Sequence, residues 1–120
     1  MNSLYSKIGP IRLRQVVDAF YDRVFVNETL VPLFLTDKSV IRDKQYKFLT
    51  QFLGGPQLYS QEYGHPKMRM RHLPHVIDAK AKDEWLKCMR EAIDSIAFED
   101  GLGDALYNCF PAVAAHMQNH

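Results

Sequence analysis

The chain has 120 residues, 47% of them hydrophobic, and a formal net charge of +1. This length is typical of one domain, residues 1–120, with enough apolar side chains to fill a moderate core. A charge so near zero disfavours binding to nucleic acid or to an anionic membrane surface, and no apolar run is long enough to cross a bilayer. The first residues contain no signal-like apolar segment, so the sequence predicts a cytoplasmic protein.

The first helix is predicted from apolar periodicity over residues 11–27, which places valine, leucine and phenylalanine side chains on one face. Tyr21 lies at the edge of that face. Pro32 limits any continuation, so residues 31–35 are expected to form a short turn or a single helical turn.

A second helix is predicted to begin after Asp37 or Ser39, since either side chain can cap its first turn. It should run to Phe52 or Leu53, because two glycines and a proline follow. Residues 55–65 have the composition of a loop.

The second half of the chain also shows helical patterns. A brief helix is predicted over residues 67–72, and Asp78 is a good cap for a long helix over residues 79–98. A last helix should cover residues 102–117, with a kink at Pro111. Because strand signals are nearly absent, the sequence predicts an all-α domain.

Polar side chains interrupt three of the apolar faces. Gln45 falls in the middle of one face, and Tyr21 and Trp85 are large residues that each carry a hydrogen-bond donor. Each of them could pair with a backbone carbonyl or with another of the three. Three donors on three helices are also typical of a polar spot inside an apolar ligand pocket.

Three histidines, His65, His72 and His75, lie in the segment GHPKMRMRHLPHVID, residues 64–78. His72 ends a short helix and can point inward, whereas the other two are expected at the surface. A zinc site built from all three is disfavoured, because no acidic or thiolate fourth ligand stands at a recognised spacing. The basic residues of this segment fit a solvated face better than a nucleic-acid patch.

Several segments match one known family in order and at the family's spacing. The chain resembles the truncated, two-over-two haemoglobins, and within them group II, over about residues 12–118. The matching segments are FYDRV (20–24), PLF (32–34), FLTQFLGGPQLYS (48–60), GHPKMRMRHLP (64–74) and EWLKCM (84–89). The resemblance implies a short globin fold, a two-over-two helical sandwich that holds haem b.

The same resemblance implies roles for individual residues. His72 matches the proximal iron ligand, Tyr21 matches a distal donor, and Trp85 matches the tryptophan that marks group II on the distal side. Gln45 falls at a second distal position and Ile41 at the distal gate. The further cofactor contacts implied are Phe34 on the haem face, Lys44 and Arg71 at the propionates, and Phe48, Met68 and Ile77 on the apolar walls.

The sequence departs from the family's pattern at three places. Residues 8–10 read Ile-Gly-Pro where many members have a double glycine. Ile41 is bulkier and more apolar than the usual gate residue, and His75 stands where an apolar or aromatic residue is common.

The resemblance implies reversible binding of dioxygen and other diatomic gases. Three donors around the ligand would hold oxygen tightly, which fits redox chemistry or sensing better than bulk transport. An enzyme of the same fold, acting in nitric oxide dioxygenation or peroxide chemistry, is the alternative. It would need an external reductase, since the chain has no flavin or nicotinamide motif. A haem-free helical interaction domain is a third interpretation.

Overall fold

A computed structural model describes residues 3–34, 37–64 and 77–118. In these ranges the chain is helical: α1 (Leu4–Val24), a 3₁₀ turn (Val31–Leu33), α2 (Lys38–Phe52), α3 (Leu58–Tyr63), α4 (Ala79–Asp94), α5 (Leu102–Tyr107) and α6 (Pro111–Met117). His65, His72 and His75, with the brief helix expected over residues 67–72, lie outside the described residues. No helix in the described ranges is both long and apolar enough to span a membrane.

The first helix begins earlier than the periodicity predicts. Ser3 caps it by accepting a hydrogen bond from the Ser6 N–H at 3.1 Å. Gly9 then takes a positive φ of 80°, which only glycine adopts without strain, and Pro10 starts the main part of the helix. The Ile-Gly-Pro sequence is therefore a bend between two helical pieces rather than the true start of α1.

α2 follows the prediction, whereas the next segment does not. Asp37 caps α2 by accepting hydrogen bonds from the Ser39 and Val40 N–H groups. The loop expected over residues 55–65 contains the six-residue helix α3. This helix is too short to show a period, and a tertiary contact holds it: the Gln51 side chain accepts from the Ser60 N–H at 3.0 Å and donates to the Ser60 hydroxyl at 2.8 Å.

The last two predicted helices differ from the prediction in length. α4 ends at Asp94 instead of residue 98, and the Ser95 hydroxyl donates to the Ala92 carbonyl at this end. The last predicted helix is two helices, because Pro111 has no N–H to continue the first and starts α6 instead.

α4 packs against α1, α5 and α6. α1 contacts both α4 and α2, and α2 carries α3. The core forms where these faces meet. Its fully buried side chains include Leu13, Val17, Phe20, Leu49, Met89, Ile93, Leu106 and Phe110.

Candidate ligand pocket

A cavity of about 320 Å³ opens among α1, α2, α4 and α6. This volume lies at the lower end of the range for small-molecule sites. The structure places around it all eight of the predicted site residues that it describes: Tyr21, Phe34, Ile41, Lys44, Gln45, Phe48, Ile77 and Trp85. The other three, Met68, Arg71 and His72, lie outside the described residues.

Tyr21 is held in the cavity wall by aromatic rings. Its ring centroid is 4.8 Å from that of Phe20, 5.3 Å from Phe25 and 5.8 Å from Phe34. Only 3% of the residue is exposed, and burial raises the pKa of its phenol well above the usual value, against a smaller opposing effect from the charge of Arg42. Tyr21 therefore stays protonated at neutral pH and can act as a donor.

Gln45 and Trp85 bring two further donors to the same space from α2 and α4. The Trp85 ring is packed edge-on against Phe20 at 5.0 Å and against Phe110 at 5.7 Å, so its orientation is constrained.

The hydrogen-bond capacity of these three side chains is unused within the described part of the chain. None of the three donor groups forms a hydrogen bond to a described residue: this holds for the Tyr21 hydroxyl, the Gln45 amide and the Trp85 indole. No fully buried side-chain nitrogen or oxygen of the described ranges lacks a partner, so these donor atoms keep some accessible surface, and all three residues line the cavity. A ligand in the cavity can therefore accept from them.

Two lysines give the cavity a cationic edge. Lys44 lies on α2 with its Nζ 4.8 Å from the centroid of the Tyr63 ring. Lys82, on α4, also lines the cavity, and its Nζ is 4.0 Å from the Asp83 carboxylate. Sequence reasoning missed Lys82, because a lysine on a helix is usually on the solvated face.

Seven further lining residues were not predicted as part of the site. They are Leu30, Leu33, Tyr59, Ala81, Val113, Ala114 and Met117. The sequence marks three of them as inward-facing, since Ala81, Val113 and Met117 fall on apolar helical faces. Periodicity alone does not distinguish a residue that lines a pocket from one that packs in the core. Tyr59 lies on α3, in the segment that was expected to be a loop.

These residues fit haem by their chemistry. A flat apolar macrocycle needs apolar and aromatic walls, which Phe34, Phe48 and Ile77 supply. Its two carboxylates need cations at the edge of the pocket, which Lys44 and Lys82 supply. No cluster of three metal-ligating side chains occurs in the described ranges, and the histidines considered for zinc lie outside them.

Comparison with known proteins identifies the family. A model of the bacterial-like globin family matches residues 3–119. The Group 2 truncated hemoglobin YjbI of Bacillus subtilis is 43% identical over 98% of this chain and 89% of its own length.

Solved structures agree in fold. The truncated oxygen-avid haemoglobin from Bacillus subtilis has a TM-score of 0.93 at 43% identity, covering 98% of this chain and 100% of the other. The group II truncated hemoglobin from Bacillus anthracis has a TM-score of 0.93 at 37% identity, covering 99% of this chain and 92% of the other.

The chain therefore belongs to the bacterial-like globin family. Within that family it is similar to the group II truncated haemoglobins, which confirms the predicted fold class and the resemblance found in the sequence. Membership in a globin family implies haem binding.

Proposed function

We propose that this chain binds haem b through His72 and reversibly holds dioxygen and other diatomic gases in the cavity. The observation that carries the proposal is the presence around one apolar space of three donors, from α1, α2 and α4, that have no hydrogen-bond partner among the described residues. Haem, when bound, would supply an iron that can take a diatomic ligand, and His72 would hold that iron. The description of the Bacillus subtilis relative as oxygen-avid supports tight retention of oxygen here.

The cavity walls account for cofactor retention and for the exclusion of water. Phe34, Phe48 and Ile77 present apolar surface to the macrocycle, with Met68 added by the family resemblance. Lys44 and Lys82 are the described cations for its propionates, and the resemblance adds Arg71. A dry pocket strengthens every hydrogen bond made inside it.

The three donors set how long a gas ligand stays. Tyr21, Gln45 and Trp85 can each stabilise a ligand that carries partial negative charge, by roughly 1–3 kcal/mol per hydrogen bond. A factor of ten in affinity takes about 1.4 kcal/mol, so two such bonds suffice for slow release. Ile41, at the distal gate position, is half-buried and lines the cavity. Its side chain cannot donate a hydrogen bond, so it adds bulk rather than a fourth donor.

Haem titration of the purified chain tests cofactor binding. The wild-type protein is expected to acquire a Soret band, and the His72→Ala variant is expected to lose the histidine-ligated spectrum. His65→Ala and His75→Ala are matched controls from the same segment and should keep it. A His72→Ala protein with the wild-type spectrum and gas affinity would refute the assignment, and failure of the wild type to bind haem would favour a haem-free interaction domain.

Stopped-flow measurement of oxygen release tests the donors. Tyr21→Phe and Trp85→Phe each keep an aromatic ring and lose a donor, so both should release oxygen faster than wild type. Tyr107→Phe is the control, because Tyr107 packs under Arg90 away from the cavity. Release rates unchanged in both cavity variants would contradict a donor cage.

The enzymatic alternative rests on the same retention of oxygen. A ligand that leaves slowly is available for reaction with nitric oxide, and peroxide chemistry would use the same donors. Turnover with nitric oxide or hydrogen peroxide, measured with an added reductase system, would show this activity. Reversible oxygen binding without turnover would leave gas binding as the function.

A further inference from the structure

We infer that Arg42 is a positioning residue for Tyr21: from α2 it clamps the last turns of α1 and backs the aromatic stack that orients the Tyr21 hydroxyl. The inference rests on the proposed function, since Tyr21 matters there as a donor to the gas ligand. Arg42 does not line the cavity, so any effect on the ligand must pass through its neighbours.

The Arg42 guanidinium joins two successive turns of α1. Its Nη1 donates to the Asp18 backbone carbonyl at 3.0 Å and to the Asp18 carboxylate at 3.1 Å. Its Nη2 donates to the Asp22 carboxylate at 2.8 Å. The side chain is 22% exposed, so these contacts are partly shielded from water. A planar guanidinium suits such a set of acceptors, because its two terminal nitrogens reach different turns of α1, whereas an ammonium has a single nitrogen.

The same guanidinium lies over the ring that stacks on Tyr21. Its central carbon is 5.5 Å from the centroid of Phe25, and Lys38 places its Nζ 5.1 Å from that centroid. Phe25 in turn stacks on Tyr21 with 27° between the ring planes. The Phe25 ring therefore contacts both Arg42 and Tyr21, and a shift of the guanidinium is passed to the phenol through this ring.

Arg42 also fixes α2 relative to Tyr21. It follows Ile41 directly and precedes Gln45 by three residues, and both of these line the cavity. The clamp therefore sets the distance between the Tyr21 hydroxyl on α1 and the cavity-facing side chains on α2. Donor geometry is sensitive to displacements of about 1 Å, so loss of the clamp should weaken the hydrogen bond to the ligand.

Arg14 is a matched control, because it also links α1 to α2. Its Nη1 is 3.8 Å from the Asp43 carboxylate, and its guanidinium lies 5.1 Å from the Tyr46 ring. It stands two turns of α1 before Tyr21, and neither of its partners lines the cavity. If Arg42 only stabilises the fold, substitution of either arginine should have a similar effect on oxygen release. If Arg42 positions Tyr21, only its substitution should change oxygen release.

The test uses the haem-loaded protein with Arg42→Met and Arg14→Met, each in the wild-type and the Tyr21→Phe background. Methionine retains an apolar stem of similar length, so packing against the helix is largely kept. Oxygen release is measured by stopped flow, and the C–O stretching band of the carbonmonoxy form is measured by infrared spectroscopy. Unfolding by guanidinium reports on stability separately.

Arg42→Met is expected to speed oxygen release by about three- to tenfold and to shift the C–O band. This is the size of effect expected when two residues in contact are energetically coupled. Arg14→Met should change neither. In the Tyr21→Phe background, Arg42→Met should speed release by about twofold or less, because the donor on which it acts is gone.

Three results would overturn the inference. The first is an equal effect of the two arginine variants on release and on the C–O band. The second is an undiminished Arg42 effect in the Tyr21→Phe background, and the third is an Arg42→Met protein that releases oxygen at the wild-type rate. If Tyr21→Phe speeds release but Arg42→Met does not, only the positioning role fails. If Tyr21→Phe leaves release unchanged, the role of Tyr21 as a donor in the proposed function fails as well.

Discussion

Tyr21→Phe should make the protein more stable while it makes the ligand less tightly held. The substitution removes one oxygen atom and keeps the ring that packs against Phe20, Phe25 and Phe34. In the described part of the molecule that oxygen forms no hydrogen bond, although only 3% of the residue is exposed. Among the described residues this polar group is therefore kept out of bulk water without a partner, and under the proposed function a gas ligand would be its acceptor.

The size of the effect follows from the position of the hydroxyl. Burying a hydroxyl without a hydrogen bond costs about 1–3 kcal/mol in proteins. Because this one borders the cavity, we expect the lower end, about 1 kcal/mol, which for a chain of 120 residues raises Tm by about 3–6 °C. Loss of the same donor should speed oxygen release by about five- to 150-fold, the equivalent of a hydrogen bond worth roughly 1–3 kcal/mol.

Guanidinium unfolding of the haem-free protein, followed by circular dichroism, measures the gain in stability. Thr50→Val is the control, because Thr50 is also buried but its hydroxyl is paired, donating to the Tyr46 carbonyl at 2.8 Å. Its loss should lower the free energy of unfolding by about 0.5–1.5 kcal/mol, the opposite sign. A Tyr21→Phe protein as destabilised as Thr50→Val would show that the hydroxyl has a structural partner and would refute the reasoning.

Three further predictions concern the pocket edge, the core and a helix cap. Lys82→Met should speed haem loss by about 1.5- to fivefold, as for one exposed ion pair, measured by transfer of haem to excess apomyoglobin. Leu106→Ala should lower the free energy of unfolding by about 2–5 kcal/mol, because this core side chain has no exposed surface. Asp37→Ala should lower Tm at neutral pH, because the Asp37 carboxylate caps α2. Hydrogen bonds from Ser39 and Val40 hold the pKa of Asp37 below its usual value, so this stabilisation is present at neutral pH and is lost as the pH falls through the lowered pKa.

Each of these predictions has a result that contradicts it. Haem loss unchanged in Lys82→Met would mean that this lysine does not meet a propionate. A small effect of Leu106→Ala would mean that the core collapses around the missing atoms. For Asp37→Ala, a Tm difference from wild type that persists undiminished in acid would exclude an ionised cap as its cause.

The long helices and the polar positions on them could be predicted from the sequence. Apolar residues that recur at helical spacing bury one face wherever the helix packs, so Tyr21, Gln45 and Trp85 could be recognised as polar groups on buried faces. The family resemblance added roles for these positions. It also assigned His72, Met68 and Arg71, whose roles remain predictions.

Short elements and long-range contacts could not be predicted in the same way. α3 has six residues, fewer than two full turns, and depends on the contact between Gln51 and Ser60 across nine positions. Lys82 carries no signal of a pocket residue, because a lysine on a helix usually lies on the solvated face. Arg42 bonds to Asp22, which is 20 positions away in the sequence, and to Asp18, which is 24 positions away, and no helical period encodes such spacings.

Which faces of the helices are apolar, and which polar groups interrupt them, can be read from the order of the residues, because burial depends on side-chain chemistry and on a local period of 3.6 residues. Which of those faces meet around a cavity, and which pack solid, is known only from the folded chain. That outcome depends on how the helices cross and on contacts between distant residues, so three polar residues on separate helices come to face one space.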